Sequence, residues 1–242
     1  MKDVVLITGG SSGIGLALAK RYLADGNRTV VCGRNAEKLR TAEEENPGLE
    51  TILCDVGKEA DRLALFDTVK EKYPNLNVLI NNAGIQQRVE ISSLDWELWK
   101  QELAVNLEAP VHLCGLFVPF LAGKEHAQIV NVSSGLAFRP PLWAPIYGAT
   151  KAAVHSFTFV LREQVREKGI AVTEIIPPAV NTNLGGRGRH TGSVDLEPFA
   201  DSVYRELLAG KEEIGYAYTN SVANMTRAEL EAGAVEMAKM FR

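Results

Sequence analysis

Short, almost continuous apolar runs alternate along this chain with longer segments that mix apolar and polar positions. Such runs suit strands that are buried on both faces, because a strand with one solvated face would alternate apolar and polar residues. The segments between them are long enough for helices. The pattern predicts strands at residues 4–7, 29–32, 50–54, 78–80, 129–132 and 170–176, and helices at residues 14–24, 36–45, 60–72, 96–121 and 147–168.

Repeated strand–helix–strand units need crossover connections, and crossovers produce a parallel sheet with helices on both faces. The sequence therefore predicts an α/β fold, a single doubly wound (Rossmann) parallel sheet that includes residues 1–242 as one domain. The order changes after residue 176, where Pro177-Pro178 opens a glycine-rich loop. A short helix near 198–209, a last strand near 214–218 and a terminal helix with a Thr226/Glu229 capping box are predicted beyond it.

Composition narrows the function classes. The 242 residues carry a net charge of −4, so no basic surface for nucleic acid is expected. The longest nearly apolar stretch, at 113–123, is about half the length that a membrane-spanning helix needs, and no export segment follows Met1. Cys32, Cys54 and Cys114 lack metal-ligand spacing and are predicted to be buried thiols, with no metal site. We therefore expect a cytoplasmic protein without a membrane segment.

A glycine-rich segment, Thr8-Gly9-Gly10-Ser11-Ser12-Gly13-Ile14-Gly15, separates the first predicted strand from the first helix. In a doubly wound sheet this turn places backbone N–H groups and a helix N-terminus against a phosphate. Gly9 would permit the turn, Gly13 the approach of a pyrophosphate, and Gly15 the packing of the helix on the strand. A turn without a ligand is the alternative, but the position after an N-terminal strand favours a dinucleotide.

The end of the second strand indicates which dinucleotide binds. An acidic residue there would bind the ribose hydroxyls of NAD(H), whereas this strand ends in Gly33-Arg34. Arg34 can pair with a 2′-phosphate, so NADP(H) is favoured over NAD(H), with a solvated arginine as the alternative. Asp55 and Val56, after the third strand, are assigned to the adenine end of the cofactor, although Asp55 could equally form a local turn or helix cap.

Polar residues follow the next strands at the carboxyl edge, where open α/β sheets bind ligands. Asn81-Asn82-Ala83-Gly84 follows the fourth strand, and Ser133-Ser134 ends the fifth. Tyr147 and Lys151 are four residues apart and therefore share one helix face. A neighbouring cation favours the phenolate and lowers the tyrosine pKa from about 10. Such a tyrosine can exchange a proton with a carbonyl or an alcohol.

With these motifs in this order, the chain resembles the short-chain dehydrogenase/reductase family from residue 4 to about residue 182. The resemblance implies hydride transfer between NADP(H) and a carbonyl or secondary alcohol of a small molecule. It implies that Tyr147 is the general acid or base and that Lys151 lowers the pKa of Tyr147 and binds the nicotinamide ribose. It also implies that Ser134 hydrogen-bonds the substrate oxygen and that Asn106 holds a water linking Lys151 to solvent.

The chain departs from the family pattern Pro-Gly-x-Val-x-Thr after the sixth strand, where it has Pro177-Pro178-Ala179-Val180-Asn181-Thr182. Val180 and Thr182 are still expected to meet the cofactor carboxamide, although Pro178 has no amide N–H. The glycine-rich segment 183–197 is predicted to be a substrate lid. Within the family, the chain is similar to the oxidoreductases encoded near bacterial lipoteichoic-acid D-alanylation operons.

Other functions are alternatives: an NAD-preferring alcohol dehydrogenase, a nucleotide-binding regulator of the same fold without turnover, or a methyltransferase. The Ser134, Tyr147 and Lys151 set argues against the last two. A homo-oligomer, most simply a homodimer, is predicted because helices 103–121 and 147–165 carry more apolar surface than one sheet contact needs. The histidines lack metal-ligand spacing and are expected at surface or interface positions: His112, His126, His155 and His190.

Overall fold

The computed structural model describes residues 2–186 and 193–240, and its centre is one seven-stranded sheet. The strands are β1 (Val4–Thr8), β2 (Arg28–Gly33), β3 (Leu49–Leu53), β4 (Val78–Asn81), β5 (Gln128–Val132), β6 (Ala171–Ile176) and β7 (Glu213–Gly215). All neighbouring strands pair in parallel, in the order β3-β2-β1-β4-β5-β6-β7. The strands thus extend from β1 to β3 on one side, and the chain then returns to the other side of β1 at β4. The sheet ends on that side at β7. The predicted doubly wound sheet is confirmed.

Helices cover both faces of the sheet. They are α1 (Gly13–Ala24), α2 (Ala36–Glu45), α3 (Glu59–Lys72), α4 (Trp96–Leu103), α5 (Ala109–Leu121), α6 (Pro145–Val165), α7 (Leu196–Leu208) and α8 (Arg227–Met240). One apolar layer joins the sheet to α3, α5 and α6, and the other joins it to α1, α2 and α7. Along β1, Leu6 faces the first layer and Val5 and Ile7 face the second. Burial on both faces explains why the strands read as continuous apolar runs.

The predicted helix at 96–121 contains a change of winding. Between α4 and α5 the residues Ala104–Glu108 form a π-helical turn, and Asn106 lies within it. A π turn accommodates an extra residue without ending the helix, and it is frequent at functional sites. The turn therefore sets the direction in which Asn106 leaves the helix.

The whole segment Trp96–Leu121 is long and apolar enough to cross a membrane by length and composition alone, and an 18-residue stretch within it has a mean hydropathy of 1.4. The expectation drawn from residues 113–123 alone therefore understates its apolar length. In the fold it lies on the sheet, where Leu113 and Phe117 are buried in the core. Glu102 and Asn106 are buried as well and hydrogen-bond to the loop after β4. This packing accounts for its apolar composition as that of a core helix.

The C-terminal part differs in detail from the prediction. β7 ends at Gly215, before the predicted 214–218 strand would, because Ala217–Asn220 forms a 3₁₀ turn. The Thr226/Glu229 capping box is confirmed, since the Thr226 N–H donates to Glu229 Oε2 at 2.7 Å and the Glu229 N–H donates to Thr226 Oγ1 at 3.4 Å. Residues 187–192 of the predicted lid lie outside the described residues. The three cysteines are buried free thiols, as predicted.

Candidate active site

The turn between β1 and α1 has the backbone that its glycines predict. Gly9 and Gly13 have φ values of +66° and +57°, which a residue with a side chain rarely adopts. A Cβ at Gly9 would lie 2.8 Å from the Cα of Ala83, and one at Gly15 would lie 2.5 Å from Nδ2 of Asn82. The loop therefore packs tightly on the segment after β4, and Gly15 is needed as much for Asn82 as for helix packing.

Hydrogen bonds lock the glycine loop to that segment. Asn82 Nδ2 donates to the carbonyl oxygens of Thr8 at 2.9 Å and Gly9 at 3.3 Å. The Thr8 hydroxyl in turn accepts from the backbone N–H groups of Asn82 and Ala83, each at 3.0 Å. Asn82 and Ala83 thus support the cofactor loop. Thr8 has the same role, and its position at the end of the first strand is the only sequence signal for it.

The N-terminus of α1 can receive an anion. Its N-cap residue Ser12 makes no side-chain capping hydrogen bond, and its first turn, which begins Gly13-Ile14-Gly15, holds no acidic residue. The first N–H groups of a helix lack intrahelical acceptors, and the helix dipole favours negative charge there. A Cβ at Gly33 would lie 3.3 Å from Ser11 Oγ, so the loop also borders the end of β2. This arrangement fits the diphosphate of a dinucleotide.

Arg34 follows β2 at the same edge of the sheet and is exposed. Within residues 2–186 and 193–240 its guanidinium has no hydrogen-bond or ion-pair partner. The next residue, Asn35, caps α2 by accepting from the Lys38 N–H at 2.9 Å, which fixes the backbone beside Arg34. The guanidinium is therefore free to pair with a phosphate.

Asp55 forms a local turn after β3, which is one of the two roles that its sequence position left open. Its Oδ1 accepts from the Gly57 N–H at 3.1 Å, and its own N–H donates to Asp61 Oδ2 at 2.9 Å. Val56 is buried, and its carbonyl accepts from Arg62 at 2.7 Å. The adenine contact assigned to Asp55 and Val56 remains a prediction.

Val180 and Thr182 lie on the segment after β6, at the same edge. Val180 is buried and pairs with Val194 in a short parallel bridge. The Cγ2 atom of Thr182 would lie 3.6 Å from a Cβ at Gly13. The fold therefore brings Thr182 to the glycine loop, as expected for two segments that bind one cofactor.

Ser134, Tyr147 and Lys151 meet where β5 ends. The Ser134 hydroxyl hydrogen-bonds to the Tyr147 phenol. The Lys151 ammonium donates to the carbonyl of Val132 at 2.7 Å and lies 5.8 Å from the centre of the Tyr147 ring. Ser134, Tyr147 and Lys151 are buried, and α6 supplies the last two from one face. The fold thus brings together the three residues that the sequence pattern selects.

Burial dominates the ionisation of Tyr147. Loss of solvation raises the pKa of Tyr147 to about 12, against the hydrogen bond from Ser134, which lowers it. Glu102 and Tyr218 raise this pKa further. The lowering expected from Lys151 is not among the influences on this phenol, whose pKa burial raises instead. Tyr147 is therefore a protonated phenol at neutral pH and can act as an acid.

Burial also controls Lys151. Desolvation lowers the pKa of Lys151 to about 8, and the negative charges of Glu174 and then Glu102 oppose this change. The ammonium is thus charged at neutral pH and loses its charge as the pH rises through about 8. A cation of this kind is poised to stabilise a phenolate that forms beside it.

Asn106 is a positioning residue. Its Nδ2 donates to the Ile85 carbonyl at 2.8 Å and to Thr150 Oγ1 at 3.3 Å, and its Oδ1 accepts from the Ile85 N–H at 2.9 Å. These bonds commit both amide hydrogens and tie the π-helical turn to the loop after β4. The water expected between Asn106 and Lys151 remains a prediction.

Glu102 is a buried carboxyl that the sequence reasoning missed. It precedes Asn106 by four residues, and its Oε1 accepts from the Gln87 N–H at 3.1 Å. Among the described residues its Oε2 has no hydrogen-bond partner, and burial raises the pKa of Glu102 to about 7. Glu102 binds Gln87 and Asn106 binds Ile85, so the two side chains hold alternate residues of the loop after β4. A carboxylate one helical turn before Asn106 is the signal that could have identified it.

Two further parts of the site have weak sequence signals. A Cβ at Gly135 would lie 3.0 Å from the Tyr218 hydroxyl, so the segment after β7 reaches the turn that carries Ser134. His155 is half-buried, with 31% of its side chain exposed, so part of its ring reaches the surface. The ring also pairs with the buried carboxylate of Glu174 at 2.8 Å. This contact joins α6 to β6 and is not encoded in the local sequence around His155.

An open cavity of about 570 Å³ lies beside the N-terminus of α6. Its walls come from the segments after β4 and β5 and are mainly apolar, with Glu90 as the charged residue in the lining. Gly148 and Ala149, which follow Tyr147, line it as well. The cavity therefore offers an apolar surface beside the first turns of α6, the helix that carries Tyr147.

Comparison with known proteins agrees with this geometry. The family model of short chain dehydrogenases matches residues 3–191. The uncharacterized oxidoreductase DltE of Bacillus subtilis (strain 168) is 42% identical over 236 residues, which cover 95% of this chain and 94% of that protein. An uncharacterized oxidoreductase of Staphylococcus saprophyticus is 30% identical over 76% of this chain and 80% of its own length.

Solved structures are similar as well. A short-chain dehydrogenase from Sphingobium yanoikuyae in complex with NADPH has a TM-score of 0.82 and 25% identity, covering 97% of this chain and 94% of that one. A metagenomic short-chain oxidoreductase in complex with NADP has a TM-score of 0.76 and 28% identity, covering 88% of this chain and 96% of that one.

Proposed function

Since the chain belongs to the short-chain dehydrogenase family, we propose that it is an NADP(H)-dependent oxidoreductase that interconverts a carbonyl and a secondary alcohol of a small molecule. The observation that carries this proposal is the buried cluster at the end of β5. There the Tyr147 phenol contacts the Ser134 hydroxyl, with the Lys151 ammonium on the same helix face. The glycine loop and the open N-terminus of α1 border the same edge of the sheet.

Tyr147, Ser134 and Lys151 have separate roles in proton transfer. A bound nicotinamide supplies a hydride to the carbonyl carbon. In reduction, Tyr147 donates its phenolic proton to the carbonyl oxygen, and the π electron pair of the C=O bond becomes the new O–H bond. Ser134 hydrogen-bonds the oxygen as negative charge develops on it. The ammonium of Lys151 stabilises the phenolate that remains on Tyr147. In oxidation the same groups act in reverse.

The test of this function is NADPH oxidation, followed by absorbance, with a panel of aldehydes and ketones that includes bulky apolar members for the cavity beside α6. Consumption of NADPH with formation of the corresponding alcohol is the expected result. Tight NADPH binding without turnover of any carbonyl would instead support the nucleotide-binding regulator. Failure to bind either nicotinamide dinucleotide would contradict both functions.

We expect Arg34→Ala to weaken NADPH binding about 10- to 150-fold and to leave NADH binding unchanged. A charge-assisted hydrogen bond to phosphate contributes about 1.5–3 kcal/mol, and NADH lacks the 2′-phosphate. Dissociation constants for both cofactors, measured by titration calorimetry, check this. Arg40→Ala is the matched control, because Arg40 is an exposed arginine on α2 that pairs with Glu44 at 3.0 Å. Equal weakening of NADPH and NADH by Arg34→Ala would make Arg34 a structural residue.

We further propose that the protein is a cytoplasmic homodimer that binds neither nucleic acid nor membranes. Leu113 and Phe117 face the core, but Phe159 and Val160 on α6 remain 59% and 50% exposed. Apolar side chains of this size on one helix are typical of a subunit contact. Light scattering should therefore give about twice the 26.4 kDa chain mass.

Phe159→Glu should shift the protein to the monomer, since it buries a charge in the proposed contact. Leu53→Glu, at a 64% exposed position on the edge strand β3, should leave the mass unchanged. A wild-type mass equal to one chain at micromolar concentration would refute the dimer.

A further inference from the structure

Glu174 is a carboxylate enclosed within the sheet. It lies on β6 with 1% of its surface exposed. Its Oε1 accepts a hydrogen bond from the Ser133 hydroxyl, and its Oε2 pairs with His155 Nδ1 at 2.8 Å. A charge removed from water is costly unless such partners satisfy it. The pairing with Ser133 and His155 meets this condition and keeps both carboxylate oxygens engaged.

The partners of Glu174 adjoin the catalytic cluster in sequence and in space. Val132, Ser133 and Ser134 are consecutive at the end of β5. The carbonyl of Val132 accepts a hydrogen bond from Lys151, and the hydroxyl of Ser133 donates one to Glu174. The hydroxyl of Ser134 contacts Tyr147. On α6, His155 lies one turn beyond Lys151, so both side chains reach toward the same end of the sheet. The carboxylate therefore stands directly behind the turn that presents Ser134.

The charges around this carboxylate come from several elements. Two carboxylates act on Lys151, namely Glu174 from β6 and Glu102 from α4. The Tyr147 ring lies near Lys151 on the same helix, α6. Of the two carboxylates, Glu174 has the larger effect in opposing the desolvation of the ammonium.

His155 is the titratable group on the outer side of Glu174. Glu174 from β6 and Glu213 from β7 act on His155, and Arg162 acts on it from the same helix, α6. The hydrogen bond to Glu174 raises the pKa of His155 above its usual value. The imidazole is 31% exposed and stacks on Phe138 at 4.6 Å between ring centres. It thus connects the buried carboxylate to solvent.

We propose that Glu174 is a positioning residue of the oxidoreductase site, which through Ser133 orients the turn carrying Ser134 and which places a negative charge behind the Lys151 side chain. His155 completes the arrangement by pairing with the second carboxylate oxygen of Glu174. This inference rests on the proposed function in two respects, namely that Lys151 contributes to cofactor binding and that Ser134 contributes to turnover. A carboxylate with a purely structural role would contribute to folding stability and leave the ionisation of Lys151 unchanged.

The decisive variant is Glu174→Gln, which keeps the side-chain shape and removes the charge. NADPH affinity is measured by fluorescence titration between pH 6 and pH 10. Wild-type affinity should fall as the pH rises through about 8, where Lys151 loses its proton. In Glu174→Gln the midpoint of this fall should move down by at least about one pH unit, with affinity recovered toward pH 6. Glu174→Asp, which restores the charge, should return the midpoint toward the wild-type value.

Glu163→Gln is the matched control, because Glu163 lies on α6 with its side chain 60% exposed. It should leave the midpoint unchanged. A Glu174→Gln protein with the wild-type midpoint, whatever its melting temperature, would overturn the electrostatic part of the proposal. Ser133→Ala tests the other part without altering any charge. It should lower kcat several-fold and leave NADPH affinity unchanged, and wild-type kcat in this variant would overturn the positioning part.

A nuclear magnetic resonance titration of His155 gives a readout that needs neither turnover nor NADPH. The imidazole should titrate above about 6.5 in the wild type and fall in Glu174→Gln. If Glu174→Gln does not fold, the wild-type titration decides, because an ordinary His155 pKa would mean that Glu174 does not act on the imidazole and would overturn the proposal. Absence of carbonyl turnover in the wild type would refute the proposed function, and the His155 titration would still decide whether Glu174 and His155 interact.

Discussion

Tyr147→Phe should leave the fold and NADPH binding intact and reduce turnover about 10²- to 10⁴-fold, the usual contribution of general acid catalysis. The substitution removes the phenolic hydroxyl and keeps the ring that packs at the start of α6. The phenol is protonated at neutral pH because burial raises the pKa of Tyr147 to about 12. The variant thus lacks the proton donor for the carbonyl oxygen. Single-turnover kinetics, in which chemistry limits the rate, are the appropriate measurement.

Tyr73→Phe is the matched control for this experiment. Tyr73 is a buried tyrosine whose hydroxyl donates to Glu50 at 2.9 Å, and it lies near the beginning of β4, at the opposite edge of the sheet from the site. Its loss should leave turnover unchanged. If Tyr147→Phe kept more than about a tenth of the wild-type rate, another group would move the proton and the mechanism would be wrong.

Lys151→Met should weaken NADPH binding about 10- to 150-fold at pH 7 and lower turnover in addition. The ammonium is proposed both to bind the cofactor and to stabilise the phenolate of Tyr147, so its removal affects both steps. The pH dependence has a definite sign. Because burial lowers the pKa of Lys151 to about 8, the wild type has the ammonium below this pH and loses it above. Wild-type affinity should therefore fall between pH 7 and pH 9, and the affinity of the variant should stay constant.

Lys100→Met controls for loss of a positive charge, since Lys100 is half exposed on α4 and pairs with Glu97 at 2.8 Å. It should retain both the affinity and the pH dependence of the wild type. A Lys151→Met protein whose affinity still fell between pH 7 and pH 9 would show that a different group titrates. The cofactor role of Lys151 would then be incorrect.

Much of the fold is predictable because it depends on local patterns. Strands buried on both faces appear as continuous apolar runs, and Val5, Leu6 and Ile7 of β1 show why, since they face two different apolar layers. The glycine loop is equally local, because positive φ at Gly9 and Gly13 restricts those positions to glycine. Parallel strands place their carboxyl ends on one edge. Ser134 and Asn82 therefore come near one another from positions far apart in the chain.

The rest of the site depends on contacts that sequence spacing does not encode. Glu174 meets Ser133 and His155 from a different strand, so nothing near it in the sequence marks it as charged and buried. The pKa of Tyr147 depends on such contacts as well. The spacing to Lys151 is visible in the sequence, whereas the burial that raises this pKa follows only from tertiary packing.

The strand order also determines when the enzyme becomes competent as it is synthesised. The strands β1, β2 and β3 and the glycine loop emerge from the ribosome first, yet β1 is completed only when β4 pairs with its other side. The helix that carries Tyr147 is added later still, after β5. A nascent chain therefore holds its glycine loop and an uncovered apolar strand edge well before it holds Tyr147. Between the synthesis of β3 and that of β4, the exposed edge of β1 can pair with other chains. We therefore expect the nascent protein to be most prone to aggregation at this stage.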